Sequence, residues 1–174
     1  MNFNLTHSID LLSRTPDTLA QLLKGLPEPW LRNNEGEDTW SAYDILGHLI
    51  HGEKTDWIPR SLIILSDRAD KTFEPYDRFA QQHEDQNRSI EVLLDEFSAL
   101  RAQNLATLKS LNITKEKLQQ KGIHPALGEA TLQELLSTWT VHDLGHIAQI
   151  SRVMAKQYAS EVGPWKAYLG ILKA

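Results

Sequence analysis

Residues 131–158 read TLQELLSTWTVHDLGHIAQISRVMAKQY, from Thr131 to Tyr158, and carry a long helical pattern. Thr131 followed three residues later by Glu134 is a capping box, in which each side chain serves the other's backbone N–H at a helix start. Farther along, His142 and His146 stand four residues apart. On a helix that spacing puts two imidazoles on one face, about 5–6 Å apart at Cβ, where one metal ion can be gripped by both.

The surroundings of this pair occur twice. Thr138-Trp139-Thr140-Val141-His142-Asp143-Leu144-Gly145-His146 echoes Thr39-Trp40-Ser41-Ala42-Tyr43-Asp44-Ile45-Leu46-Gly47-His48, the later copy one residue shorter and carrying the additional His142. Two helices with Asp…Gly-His would together offer three neutral nitrogens, on His48, His142 and His146. Three protein ligands leave a position open for water or substrate, as catalytic metal sites require. His-x3-His also arises where buried imidazoles only hydrogen-bond, so the repeated Gly-His context is what favours a shared ion. Glycine inside a helix costs about 1 kcal/mol against alanine. Gly47 and Gly145 therefore point either to a close helix approach or to room for a ligand.

Three further blocks share the helical period. The first runs from about Ser8 to Lys24, with Thr15-Pro16 resembling a helix restart. Gly25, Pro27 and Pro29 end it, and a polar loop follows through Asp38. The second runs from Ser41 to about Ser66, opening on a Ser41/Asp44 capping-box arrangement. Pro59 is expected to kink it or to end its first section. The third, Ser89 to Leu111, places Ile90, Leu93, Leu94, Phe97, Leu100 and Leu108 at helical spacing. No period-2 strand pattern stands out. Four amphipathic blocks predict an all-α four-helix bundle, residues 1–174 forming a single domain. The inter-helix connections after the second and third blocks, about 20 residues each, are longer than bundles need and can roof a site.

Composition narrows the functions available. The chain has 174 residues, 41% hydrophobic and 24% charged, with a formal net charge of -5. That balance argues against nucleic acid phosphates or anionic membranes as partners. With no cysteine, disulfides, thiolate zinc sites and a cysteine nucleophile are excluded, and any metal must use His, Asp or Glu. No signal-like N-terminus and no apolar run long enough to span a membrane appear, so a cytoplasmic protein is expected. Serine-nucleophile and phosphate-loop motifs are absent.

At Thr39-Trp40-Ser41, Leu46-Gly47-His48-Leu49-Ile50 with Glu53, at Gly122-Ile123-His124-Pro125-Ala126-Leu127-Gly128 and at His142-Asp143-Leu144-Gly145-His146-Ile147-Ala148-Gln149-Ile150, the chain resembles the DinB-like family. Gln157-Tyr158 through Gly163-Pro164-Trp165 fits one branch of it. The resemblance implies a four-helix bundle, a divalent metal on His48, His142 and His146, and frequent homodimers. It also implies chemistry of the kind found in thiol-dependent S-transferases and isomerases that use low-molecular-weight thiols.

Other residues admit two readings. His51 either replaces His48 as ligand or sits at the rim. Glu53 and Asp56 serve as base or extra ligand, or are solvated like most charges on helices. Asp44 and Asp143 are placed to orient ligating histidines, although Asp44 fits a helix cap better. Trp40 and Trp139 read as core anchors. Arg60 and Arg101 are anion clamps or, more in keeping with their type, surface pairing residues. His124 faces a pocket mouth or shapes its turn. The expectation is a metal-dependent enzyme acting on a small-molecule substrate, with zinc or nickel as the divalent ion. Its nucleophile is either water, in a hydrolase, or a thiol cosubstrate, in a transferase. The contrasting expectation is a non-catalytic metal-binding or stress-associated module, which a fourth ligand such as His51 or Glu53 would favour.

Overall fold

The computed structural model describes residues 1–84 and 86–173. Its frame is a four-helix bundle in which two of the four helices are broken. The first is α1 (Leu5–Leu12) followed by α2 (Thr15–Leu23). Thr15 lies inside α2 with Arg14 at its N-cap position, and Pro16 occupies the first turn, where its missing N–H leaves no bond unmade. A short helix, α3 (Glu28–Arg32), stands within the stretch expected to be polar loop. Leu31 explains it: its side chain is buried in the core, and Arg32 stacks 3.8 Å over the ring of Tyr43.

The second helix is α4 (Ala42–Thr55) continued by α5 (Trp57–Leu65). Ser41 and Asp44 form the full reciprocal capping box. The break falls at Asp56, three residues before Pro59, because proline cannot offer the N–H that an unbroken helix would need there. The last two helices are α6 (Ile90–Ser110) and α8 (Leu132–Lys156), the latter opened by the Thr131/Glu134 capping box. Between them lie a short α7 (Lys115–Leu118) and an antiparallel hairpin, β1 (Lys121–His124) and β2 (Gly128–Thr131). The hairpin corrects the strand-free reading. Four residues per strand are too few to show a period-2 pattern, and only Ile123 is partnered beyond its mate, through an isolated bridge to Thr72. Gly128 closes its turn at φ +80°, a left-handed conformation that side chains disfavour.

The core is divided in two. One cluster joins α2, α3, α4, the first half of α6 and the end of α8, through Leu19, Leu46, Phe97 and Ile150. The other joins α1, α5, the second half of α6 and the start of α8, through Leu12, Trp57, Leu108 and Trp139. On each bundle helix the positions between the two apolar stretches are polar and buried: Thr15, then Glu53 and Asp56, then Arg101 and Asn104, then Asp143. The bundle thus carries a polar waist, and the breaks at Ser13–Arg14 and at Asp56 both fall at its level. No described helix is long and apolar enough to cross a membrane.

Candidate metal centre

His48 comes from the second turn of α4, and His142 and His146 from successive turns of α8, helices that pack against each other. Their Nε2 atoms converge. His48 Nε2 lies 3.2 Å from His142 Nε2, and His146 Nε2 lies 3.1 Å from it. One ligand atom from each of the three falls within 4.8 Å of the others. Two nitrogens bound at about 2.0–2.1 Å to one ion lie roughly 2.8–3.4 Å apart for angles between octahedral and tetrahedral values. The separations of His142 from His48 and from His146 fall in that interval, and the third pair of nitrogens stands within 4.8 Å, so the cluster is the kind that gathers around a divalent ion.

Tautomers agree with this fit. His146 Nδ1 is 2.8 Å from Gln149 Oε1, an acceptor, so Nδ1 carries the proton and Nε2 presents its lone pair. His48 Nδ1 is 3.2 Å from the Tyr76 hydroxyl, which is also 3.4 Å from the His48 carbonyl oxygen. Nδ1–H donating to the phenol, and the phenol donating to the carbonyl, satisfies all three groups. His142 differs: its Nδ1 is buried without a hydrogen-bond partner, and its ring meets that of Trp57 at a steep angle, 5.1 Å between centroids. Burial, reinforced by the charge a neighbouring His146 would carry, pushes His48 and His142 down to about 3. Burial also lowers His146, opposed by its bond to Gln149. All three rings are therefore neutral near pH 7, the state that ligates a cation.

Beneath them runs a chain of buried charges. Arg101 is 1% exposed and Glu53 2%. The Arg101 guanidinium donates to Asp143 Oδ2 at 2.6 Å and Oδ1 at 3.0 Å, to Glu53 Oε1 at 2.8 Å and to the Leu12 carbonyl at 2.8 Å. Asn104 and Trp139 Nε1 also donate to Glu53, and Thr15 donates to Asp143. Burial pushes the Glu53 carboxyl upward, with Arg101 opposing. Burial likewise disfavours the Arg101 charge, but the two carboxylates outweigh it and raise its proton affinity.

Several residues read from the sequence thus sit elsewhere than expected. Arg101 is not a surface pairing residue, nor does it reach the cavity, and Glu53 is not solvated: each is desolvated because the other compensates it. Asp143 orients no histidine; both its oxygens serve Arg101 and Thr15. Arg60 is buried too, with Nε 2.5 Å from Asp56 Oδ1. His51 lies outside the three-histidine cluster, its ring 5.0 Å from that of Tyr76. Asp44 is the α4 cap, and Trp139 is a core anchor. Trp40 is buried as well, yet its ring lies 4.8 Å from His48 and 6.4 Å from His146 and walls the site. Of the two motif glycines, Gly47 permits a close approach, since a Cβ there would lie 2.9 Å from Gln81 Cβ; Gly145 faces open space.

The centre opens into a cavity of about 390 Å³ between α4, α5, α8, the hairpin and the segment from Phe73 to Arg78. Trp40, Trp57, Phe73, Leu127 and Leu135 make much of its wall apolar. His124 lines it and also shapes its own turn, where Nδ1 accepts the N–H groups of Ala126 and Leu127. Tyr76 and Arg78 at the cavity wall, and Gln149 as a partner of His146, were given no role from the sequence. Gln149 had a legible signal, lying three residues after His146 on the same helix; Tyr76 and Arg78 sit in an irregular segment with no period to mark them.

Residues 11–150 match the family model described as the DinB superfamily. No curated protein matches the chain. Among solved structures, YfiT from Bacillus subtilis is similar over 89% of this chain and 87% of its own, with a TM-score of 0.73 and 19% sequence identity. That likeness shows the fold. YfiT itself is described as a probable metal-dependent hydrolase with an unusual four-helix bundle topology.

Proposed function

This chain belongs to the DinB superfamily, and from that premise we propose that it is a divalent-metal-dependent enzyme that hydrolyses a small molecule, its ion held by His48, His142 and His146. The observation that carries the reading is the convergence of three imidazole Nε2 atoms at the wall of an open cavity. A divalent ion there supplies Lewis acidity toward a carbonyl or water oxygen. The chain's own work is positional. Tyr76 and Gln149 hold two of the rings by their far nitrogens, and Trp40 and Trp57 shelter them from bulk water.

Coordination stays open because no fourth His or carboxylate joins the cluster among the described residues. Glu53, a candidate to close it, is committed to Arg101 and Asn104. An open position favours an enzyme over a non-catalytic module. Zinc and nickel both suit an all-imidazole set.

The test starts with tag-free protein and metal analysis, followed by assays of small esters and amides with and without a low-molecular-weight thiol. About one zinc or nickel ion per chain and metal-dependent hydrolysis, abolished by His146→Ala, are expected. Turnover only with thiol present would replace hydrolysis by thiol transfer at the same centre. Protein that binds neither ion would overturn the reading.

A further inference from the structure

Two guanidinium groups line the cavity beside the histidines, and their surroundings differ. Arg60 is neutralised by Asp56 at 2.5 Å, lies over the Phe73 ring and reaches the Glu74 carbonyl. Arg78 is exposed and has no carboxylate partner among the described residues; its guanidinium stands 5.4 Å from the Trp40 ring centroid and 5.9 Å from that of Phe79. Trp40 is the ring that packs beside His48 and His146. An ion on those rings would place a second cationic group close to an uncompensated guanidinium, in a protein that is acidic overall. An anion seated between them would relieve both, and a guanidinium fork matches a carboxylate geometrically.

We propose that the cavity takes a small substrate bearing a carboxylate, held by Arg78 over the Trp40 face while its apolar body lies against Trp57, Phe73 and Leu135. Arg78 is then a specificity-determining residue. This rests on the metal-centre reading above for the position of the reacting group, but the clamp itself belongs to the protein. About 390 Å³ is at the small end of ligand cavities, enough for a substrate of one or two rings. Arg60 cannot play the same part without giving up its ion pair with Asp56.

Calorimetric titration with benzoate and with uncharged benzamide tests the clamp, on zinc-loaded and on metal-free protein. Zinc-loaded wild type should bind benzoate at least about tenfold more tightly than benzamide, the worth of one charge-assisted contact. Arg78→Gln should bring the two ligands within about threefold of each other, and Arg78→Lys should keep part of the preference. Arg78 is exposed, so both variants should fold, and neither should lose the zinc-induced rise in melting temperature. A preference that survives in Arg78→Gln would overturn the clamp, leaving the ion alone to hold the anion. Absence of benzoate binding to both forms of the wild type would overturn it as well. Failure to bind zinc would instead strike the metal-centre reading, and an Arg78-dependent benzoate preference in metal-free protein would uphold the clamp.

Discussion

Arg101 on α6 grips both carboxylate oxygens of Asp143 on α8, at 2.6 and 3.0 Å, directly beside the histidine whose Nε2 is nearest to both others. The same guanidinium holds Glu53 on α4 and the last carbonyl of α1. One residue therefore ties together all four bundle helices at the level where the two apolar clusters part.

Replacing Arg101 by methionine is expected to destabilise the fold by about 3–5 kcal/mol, because Glu53 and Asp143 would be left buried without a counter-charge. Arg101→Lys should rescue little, since an ammonium cannot reproduce the fork. Urea denaturation measures both. A midpoint within error of wild type for the methionine variant would mean that water reaches the waist.

Tyr76→Phe and Gln149→Leu should each weaken zinc binding by roughly 10- to 100-fold, by releasing the far nitrogen of a ligating ring. Global stability should change little, because Tyr76 and Gln149 lie outside both core clusters. Competition with a chelator gives the affinities. Equal zinc affinity in all three proteins would remove both residues from the site.

Metal-free protein should lose stability as pH falls. His48 and His142 are pushed down to about 3, whereas an unfolded histidine titrates near about 6.5. Between those values the unfolded chain holds more protons than the folded one, so the contribution is complete above about pH 6.5 and is lost on acidification toward about pH 3. Zinc should raise the melting temperature at about pH 7.5 and less at about pH 5.5, as protons compete for the rings. His146→Ala should lose most of that rise, and His83→Ala none of it. Melting curves at both pH values decide this, and a zinc response untouched in His146→Ala would place the ion elsewhere.

Gly122→Ala is expected to cost about 1–3 kcal/mol by overpacking. A Cβ there would collide with the Phe73 ring and lie 2.9 Å from Ile64 Cγ1. Since β1 also carries His124, ligand affinity should fall along with the melting temperature. Full stability in this variant would show that the hairpin yields easily.

The helices and their caps were readable from the chain because their causes lie within a turn of each other. Ser41 needs only Asp44 to start α4, and Thr131 needs only Glu134 to start α8. The His142/His146 pair is likewise local, four residues apart on one helix. The hairpin was not legible, as its short strands are defined by pairing with each other and with Lys71–Phe73 rather than by an apolar alternation.

By itself the sequence determined the four-helix frame, the breaks near Pro16 and Pro59, and the His142/His146 pair on one helix face, all through short-range geometry. Tertiary structure alone decided that His48 meets a pair 94 residues away. It also decided that Arg101, Glu53 and Asp143 are buried together rather than solvated, and that Arg78, unlike Arg60 and Arg101, has no carboxylate partner among the described residues. The physical reason is common to these outcomes. A charged side chain is tolerated inside only when its partner arrives from another helix, 42 residues away for Asp143 and 48 for Glu53, and no local spacing records that arrival.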